Sequence, residues 1–98
     1  MNIHRNASGT ALTLTLEGRL DTTTAPLLDA ELKKSIAGVT ELILDFEKLE
    51  YISSAGLRVL LSTQKTMNKQ GTMVIRHVNE TVMEVFEVTG FVDILTIQ

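Results

Sequence analysis

The chain has 98 residues, no cysteine and a net charge of −3, a length that makes one domain burying roughly 60 to 70% of its unfolded surface. Without cysteine, disulfides, thiolate metal sites and cysteine nucleophiles are excluded together, and an acidic chain with four aromatics argues against binding the phosphate backbone of nucleic acid. Met1 to Asn6 lack an apolar signal core and no apolar run approaches the ~20 residues that span a bilayer, so the expectation is a cytoplasmic protein with neither membrane nor nucleic acid as partner.

Strict alternation from Ala11 to Glu17, with Leu12, Leu14 and Leu16 on one side and threonines on the other, predicts a half-buried strand. A shorter strand around Ile3 to Ala7 is expected to pair with it. Between Thr24 and Ile36, apolar residues at 25, 28, 32 and 36 follow helical spacing. Pro26 fits the first turn of that helix, and Asp29 and Glu31 precede Lys33 and Lys34 in the order the helix dipole favours. Leu42 to Phe46 and Met73 to Ile75 are nearly continuous apolar runs, as expected of strands covered on both faces. A helix from Ser54 to Gln70 joins them, burying Leu57, Leu60, Leu61 and Met67 and making a parallel crossover. A third helix starts at Asn79, a good N-cap, turns Val82, Val85 and Phe86 inward and stops at Gly90. Phe91 to Ile97 are expected to add a last short strand. Glycines 9, 18, 38, 71 and 90 fall between these segments, where tolerance of positive φ punctuates turns. Gly56 is the exception.

The pattern predicts an α/β domain over residues 1–98, a mixed sheet of four to five strands with helices packed against it. In such sheets the functional edge is where parallel strands end and helices begin, and here that edge holds Tyr51 to Leu57. Ser53 or Ser54, read as an N-cap, would satisfy a free N–H, and its loss would cost about 0.5 to 2 kcal/mol. Gly56 favours more than capping, because glycine in a first helical turn costs roughly 1 kcal/mol against alanine; a close approach by another backbone or by a partner would explain it. A phosphate on a serine at this helix mouth would gain about 0.3 to 1 kcal/mol from the dipole. Arg58 lies four residues beyond Ser54 on the same helical face, able to pair with that phosphate or with a partner carboxylate. No acidic residue occurs from Tyr51 through Asn79, whereas Arg58, Lys65, Lys69 and Arg76 do, which predicts a basic docking face for an acidic partner.

Three stretches, Gly18-Arg19-Leu20-Asp21, Leu42 to Asp45 followed by Tyr51 to Leu61, and Gly90-Phe91, together resemble a STAS domain of the anti-sigma factor antagonist family. The resemblance implies a non-enzymatic module without cofactor. Unphosphorylated, such a protein binds an anti-sigma factor, often a serine kinase, and frees a sigma factor; phosphorylation ends the interaction and a phosphatase would reset it. Aligned on Gly56-Leu57, the acceptor is Ser54. Family members with this switch carry aspartate before the acceptor and a second serine after it, where this chain has Ser53 and Ala55, so Ser53 stands as the second choice. The implied partner-binding set is Asp21, Ser53, Ser54, Ala55, Gly56 and Arg58, with Asp21 and Asp45 expected beside the acceptor. A homodimer through the exposed edge of the first strands is a further expectation.

Two other readings compete. STAS-like domains also serve as constitutive subunits of signalling assemblies or transport ATPases, without a switch. More remotely, Ser54, His77 and Asp45 could meet at one sheet edge as a hydrolytic triad. Against that triad, Ile52 stands where a nucleophile elbow needs its first glycine. Two histidines and no cysteine predict no transition-metal site.

Overall fold

The alternation of leucine and threonine does form a strand, and the strand outlasts the alternation. In the computed structural model, which describes residues 1–98, β1 (Asn2–Ser8) and β2 (Ala11–Leu20) form an antiparallel pair. β2 runs past its expected end at Glu17 because its register slips twice, between Thr15 and Glu17 and between Gly18 and Arg19. Gly18, expected between elements, sits inside the strand at the second slip with φ 107°. A bulge needs a residue that tolerates that backbone.

α1 (Ala25–Ser35) buries Ala25, Leu28 and Leu32, and Lys33 pairs with Asp29 at 2.9 Å. β3 (Glu41–Ile52) extends well beyond the apolar run that revealed it. Its second half carries exposed Glu47, Lys48 and Glu50, and the slips against β2 break the two-residue period. α2 (Ser54–Gln70) carries the chain to β4 (Thr72–Arg76), parallel to β3, so the sheet order is β1-β2-β3-β4. α3 (Glu80–Thr89) is capped by Asn79, whose side-chain oxygen accepts from the Val82 N–H at 2.8 Å while its amide donates to the Leu49 carbonyl at 2.7 Å. The strand expected over Phe91 to Ile97 is instead a 3-10 turn at Phe91–Asp93 followed by a single bridge between Ile97 and Ile75. A one-turn helix consumes the residues that a fifth strand would need.

The core is one cluster of 21 residues. In it the strand residues Leu12, Leu14, Leu16, Leu42, Leu44, Phe46, Met73 and Ile75 meet Leu28, Leu60, Met67 and Phe86 of the helices. The Phe46 and Phe86 rings stand 6.4 Å apart. Ile43 and Val74 alternate with these positions and are only half-buried, so β3 and β4 have one covered face, not two. Leu61 is likewise half-buried, and Thr63 turns inward in its place with its hydroxyl donated to the Val59 carbonyl at 2.7 Å. Gly71 has an extended φ of 172°, and what it needs is space, since a Cβ there would lie 1.9 Å from the Thr40 carbonyl oxygen. No helix is long and apolar enough to cross a membrane.

Candidate functional site

Beyond Asp45, β3 pairs with β2 alone, and the two strands end together at the Leu20 and Ile52 pair. The Ser53 N–H donates to the Leu20 carbonyl at 2.9 Å, which pins the chain at the point where it turns into α2. Ser53 has the extended backbone of an N-cap (φ −104°, ψ 176°), yet its hydroxyl makes no capping bond. That Oγ is instead buried with no hydrogen-bond partner. Ser54, the first helical residue, is exposed. The first backbone bond into the helix runs from the Leu57 N–H to the Ser53 carbonyl at 3.0 Å. The N–H groups of the preceding turn therefore have no intrahelical acceptor, and no acidic side chain lies in that turn to occupy them.

The close approach anticipated at Gly56 is internal. Gly56 is buried, and a Cβ on it would lie 2.7 Å from Leu20 Cγ and 2.8 Å from Ile52 Cγ1. Glycine thus lets the first turn of α2 settle onto the ends of β2 and β3, and its place in the expected contact set has a packing explanation. Half-buried Ala55 and exposed Arg58 line an open groove of about 260 Å³ with Thr22, Ala25, Pro26, Asp29 and Val59. Arg58 takes part in none of the ion pairs of the molecule.

Asp21 follows Leu20 directly, so it sits beside the Ser53 turn, and its carboxylate organises the loop into α1. It accepts from the Thr23 and Thr24 N–H groups at 3.0 and 3.1 Å, and Arg19 stands 3.8 Å away. The Thr24 N–H is the main reason its carboxyl titrates below the ordinary value, against an opposing desolvation. The Thr24 hydroxyl donates to the Arg19 carbonyl at 2.7 Å, and the Arg19 guanidinium lies over the Tyr51 ring, 4.4 Å from its centre. The sequence placed Arg19 in one of the stretches that carry the resemblance and Tyr51 at the start of the functional edge, but gave neither them nor Thr24 a role in the site. The pairing of Arg19 with Tyr51 depends on the second register slip of β2, which no local pattern announces.

Asp45, expected beside the acceptor, is elsewhere. At about 3.3 Å per residue the part of β3 between Asp45 and Ile52 spans roughly 20 Å. Asp45 instead meets His77 Nδ1 at 2.9 Å and accepts from the Glu47 N–H at 3.0 Å. Ser54, His77 and Asp45 therefore do not form a triad; β3 extends past β4 and carries the serine away from the other two. Partial burial pushes the Asp45 carboxyl upward, but the Glu47 N–H, His77 and Arg76 outweigh it and hold it below the usual value. The same hydrogen bond and charge raise His77 above its ordinary value. His77 holds the left-handed backbone at φ 58°, the only residue other than glycine to do so. With Glu47, this pair brings three potential ligand atoms within 4.8 Å of one another, a grouping the expectation of no metal site did not foresee. Glu47 and His77 are exposed, and the direct His77–Asp45 contact reads as an ion pair at the end of β4.

A profile of the STAS domain matches residues 2–98. The chain is 39% identical over 84 residues to BtrV of Bordetella bronchiseptica, assigned as an anti-sigma factor antagonist, covering 84% of this chain and 72% of that one. It is 26% identical over 98 residues to the anti-sigma-B factor antagonist of Bacillus subtilis, covering 99% of this chain and 90% of the other. The fold superposes with a TM-score of 0.90 on a Thermotoga maritima crystal structure assigned to the same class, 20% identical, over 97% of this chain and 84% of that one. With the profile running from Asn2 to the last residue and a relative at 39% identity, this chain belongs to the STAS domain family.

Proposed function

We propose that this chain, acting as one STAS domain over residues 1–98, is an anti-sigma factor antagonist whose docking is switched by phosphorylation of Ser54. The carrying observation is the exposed Ser54 hydroxyl at an uncapped, acid-free N-terminus of a 17-residue helix. Ser53, the second candidate, has a buried oxygen, which favours Ser54. Unmodified, Ser54, Ala55, Arg58 and the groove toward α1 offer a contact surface to an anti-sigma factor acting as serine kinase. A phosphoryl group on Ser54 would gain from the helix dipole, about 0.3 to 1 kcal/mol, so the fold tolerates it. Its charge of about −1.5 to −2 and its bulk would lie within the contact surface, and the desolvation and repulsion fall on the complex. Asp21, beside the turn, adds like charge to that repulsion. A phosphatase would restore the docking form.

The decisive measurement is the affinity of the chain for its anti-sigma factor as wild type, Ser54→Ala and Ser54→Glu. The switch requires alanine to retain binding and glutamate to lose at least about 1.4 kcal/mol, a tenfold weakening. Equal affinities of all three would replace the switch with a constitutive STAS subunit.

A further inference from the structure

Four large hydrophobic residues are exposed in the whole chain, and three of them fall in its last eleven residues: Val88 at 81%, Ile94 at 45% and Val92 at 38%. Val85, half-buried, sits one turn before Val88, and a shallow groove of about 290 Å³ runs along α3 between Thr81, Glu84, Val85, Val88 and Thr89. α3 already commits Val82 and Phe86 to the core. Val85 also packs against the core with part of its side chain, so the outer side of α3 carries an apolar stripe made by Val88 and the exposed part of Val85 that the domain covers only in part.

The charges that this segment itself carries have one sign, and the nearest cation in contact with it is Arg76, whose Nε donates to Gln98 Oε1 at 3.2 Å at the far end of the segment. From Glu80 to Gln98 the chain has Glu80, Glu84, Glu87 and Asp93 and no lysine, arginine or histidine. All four carboxylates are exposed and none takes part in an ion pair. A second copy of the chain is a poor occupant. Two α3 faces brought together about a two-fold axis would set carboxylates against carboxylates, and the basic face of α2 exposes no large apolar side chain to fill the groove. The surface is complementary to an apolar stripe flanked by lysine or arginine, the mode in which an amphipathic helix lies in a groove. We propose that α3 and the 3-10 turn after it form a second docking surface, distinct from the Ser54 edge, for a basic amphipathic helix of another protein.

The test uses the ¹⁵N-labelled chain and a synthetic helical peptide with leucines at i, i+3, i+4 and i+7 and lysines elsewhere, with a scrambled peptide of equal composition as reference. The amphipathic peptide should bind at least tenfold tighter than the scrambled one, with amide shifts centred on Thr81, Val85, Val88, Val92 and Ile94. Val88→Asp, and the double change Glu84→Lys with Glu87→Lys, should each weaken binding at least tenfold. The charge-matched double change Glu41→Lys with Glu50→Lys on β3, and Ser54→Glu, should leave it unchanged, which separates this surface from the proposed switch. The spectrum of each variant reports its fold in the same experiment. Shifts centred on α2, equal weakening by the β3 changes, no binding at about 1 mM peptide, or a dimer that Val88→Asp dissolves would each overturn the proposal.

Discussion

Ser53 and Ser54 are chemically alike and adjacent, but one backbone bond, from the Ser53 N–H to the Leu20 carbonyl at 2.9 Å, gives them opposite environments. The Ser53 hydroxyl is buried without a partner, and a buried donor left unmade costs about 1 to 3 kcal/mol. Ser53→Ala should therefore leave stability unchanged or raise it by about 1 kcal/mol in urea unfolding. A loss of about 0.5 to 2 kcal/mol would mean that the hydroxyl caps the helix in solution. Gly56 is the converse case, a residue with no side chain whose site has no room for one. Gly56→Ala should cost about 1 to 3 kcal/mol by overpacking against Leu20 and Ile52, read as a lower urea midpoint at constant slope. An unchanged midpoint would show that the first turn of α2 can lift off the strands freely.

Between elements, the ion pair of Asp45 on β3 with His77 after β4 ties the parallel strands to the segment that leads into α3. Its pH dependence follows from the two shifts. His77 is raised above 6.5, so its contribution is complete below that pH and lost as pH rises through the folded value. Asp45 is lowered below 3.8, so its contribution is present above that pH and lost as pH falls through the folded value. The pair is thus intact from about pH 4 to 6.5. Asp45→Asn should return the His77 titration, followed by its ring proton shifts, toward 6.5 and flatten the decline of stability on the alkaline side. A His77 titration indifferent to the substitution would show that the pair is open in solution. At this scale the sequence was legible where apolar period and apolar content agree, as in the first half of β2, α1 and α2. It was misread where bulges intervene, as in the second half of β3, whose charged residues look like a loop.

For the molecule as a whole, one core serves every surface. Phe86 of α3 packs on Phe46 of β3 with ring centres 6.4 Å apart and both side chains fully buried, so the element that carries the acidic apolar stripe is seated on the same sheet that presents Ser54. Phe86→Ala should cost about 3 to 5 kcal/mol and lower a single cooperative transition monitored by circular dichroism and by Tyr51 fluorescence. Two separated transitions would instead mean that α3 unfolds as a unit of its own. The sequence by itself determined the α/β class, the parallel crossover through α2, the Asn79 cap and the Ser53 to Leu57 turn, because each is written in local periodicity, capping chemistry and glycine placement. Only the tertiary structure decided which serine faces solvent, that Gly56 serves internal packing, that Asp45 belongs to His77, and that β3 and β4 have one covered face. Those depend on strand register and on which layer covers which face, and both arise from residues far apart in the chain.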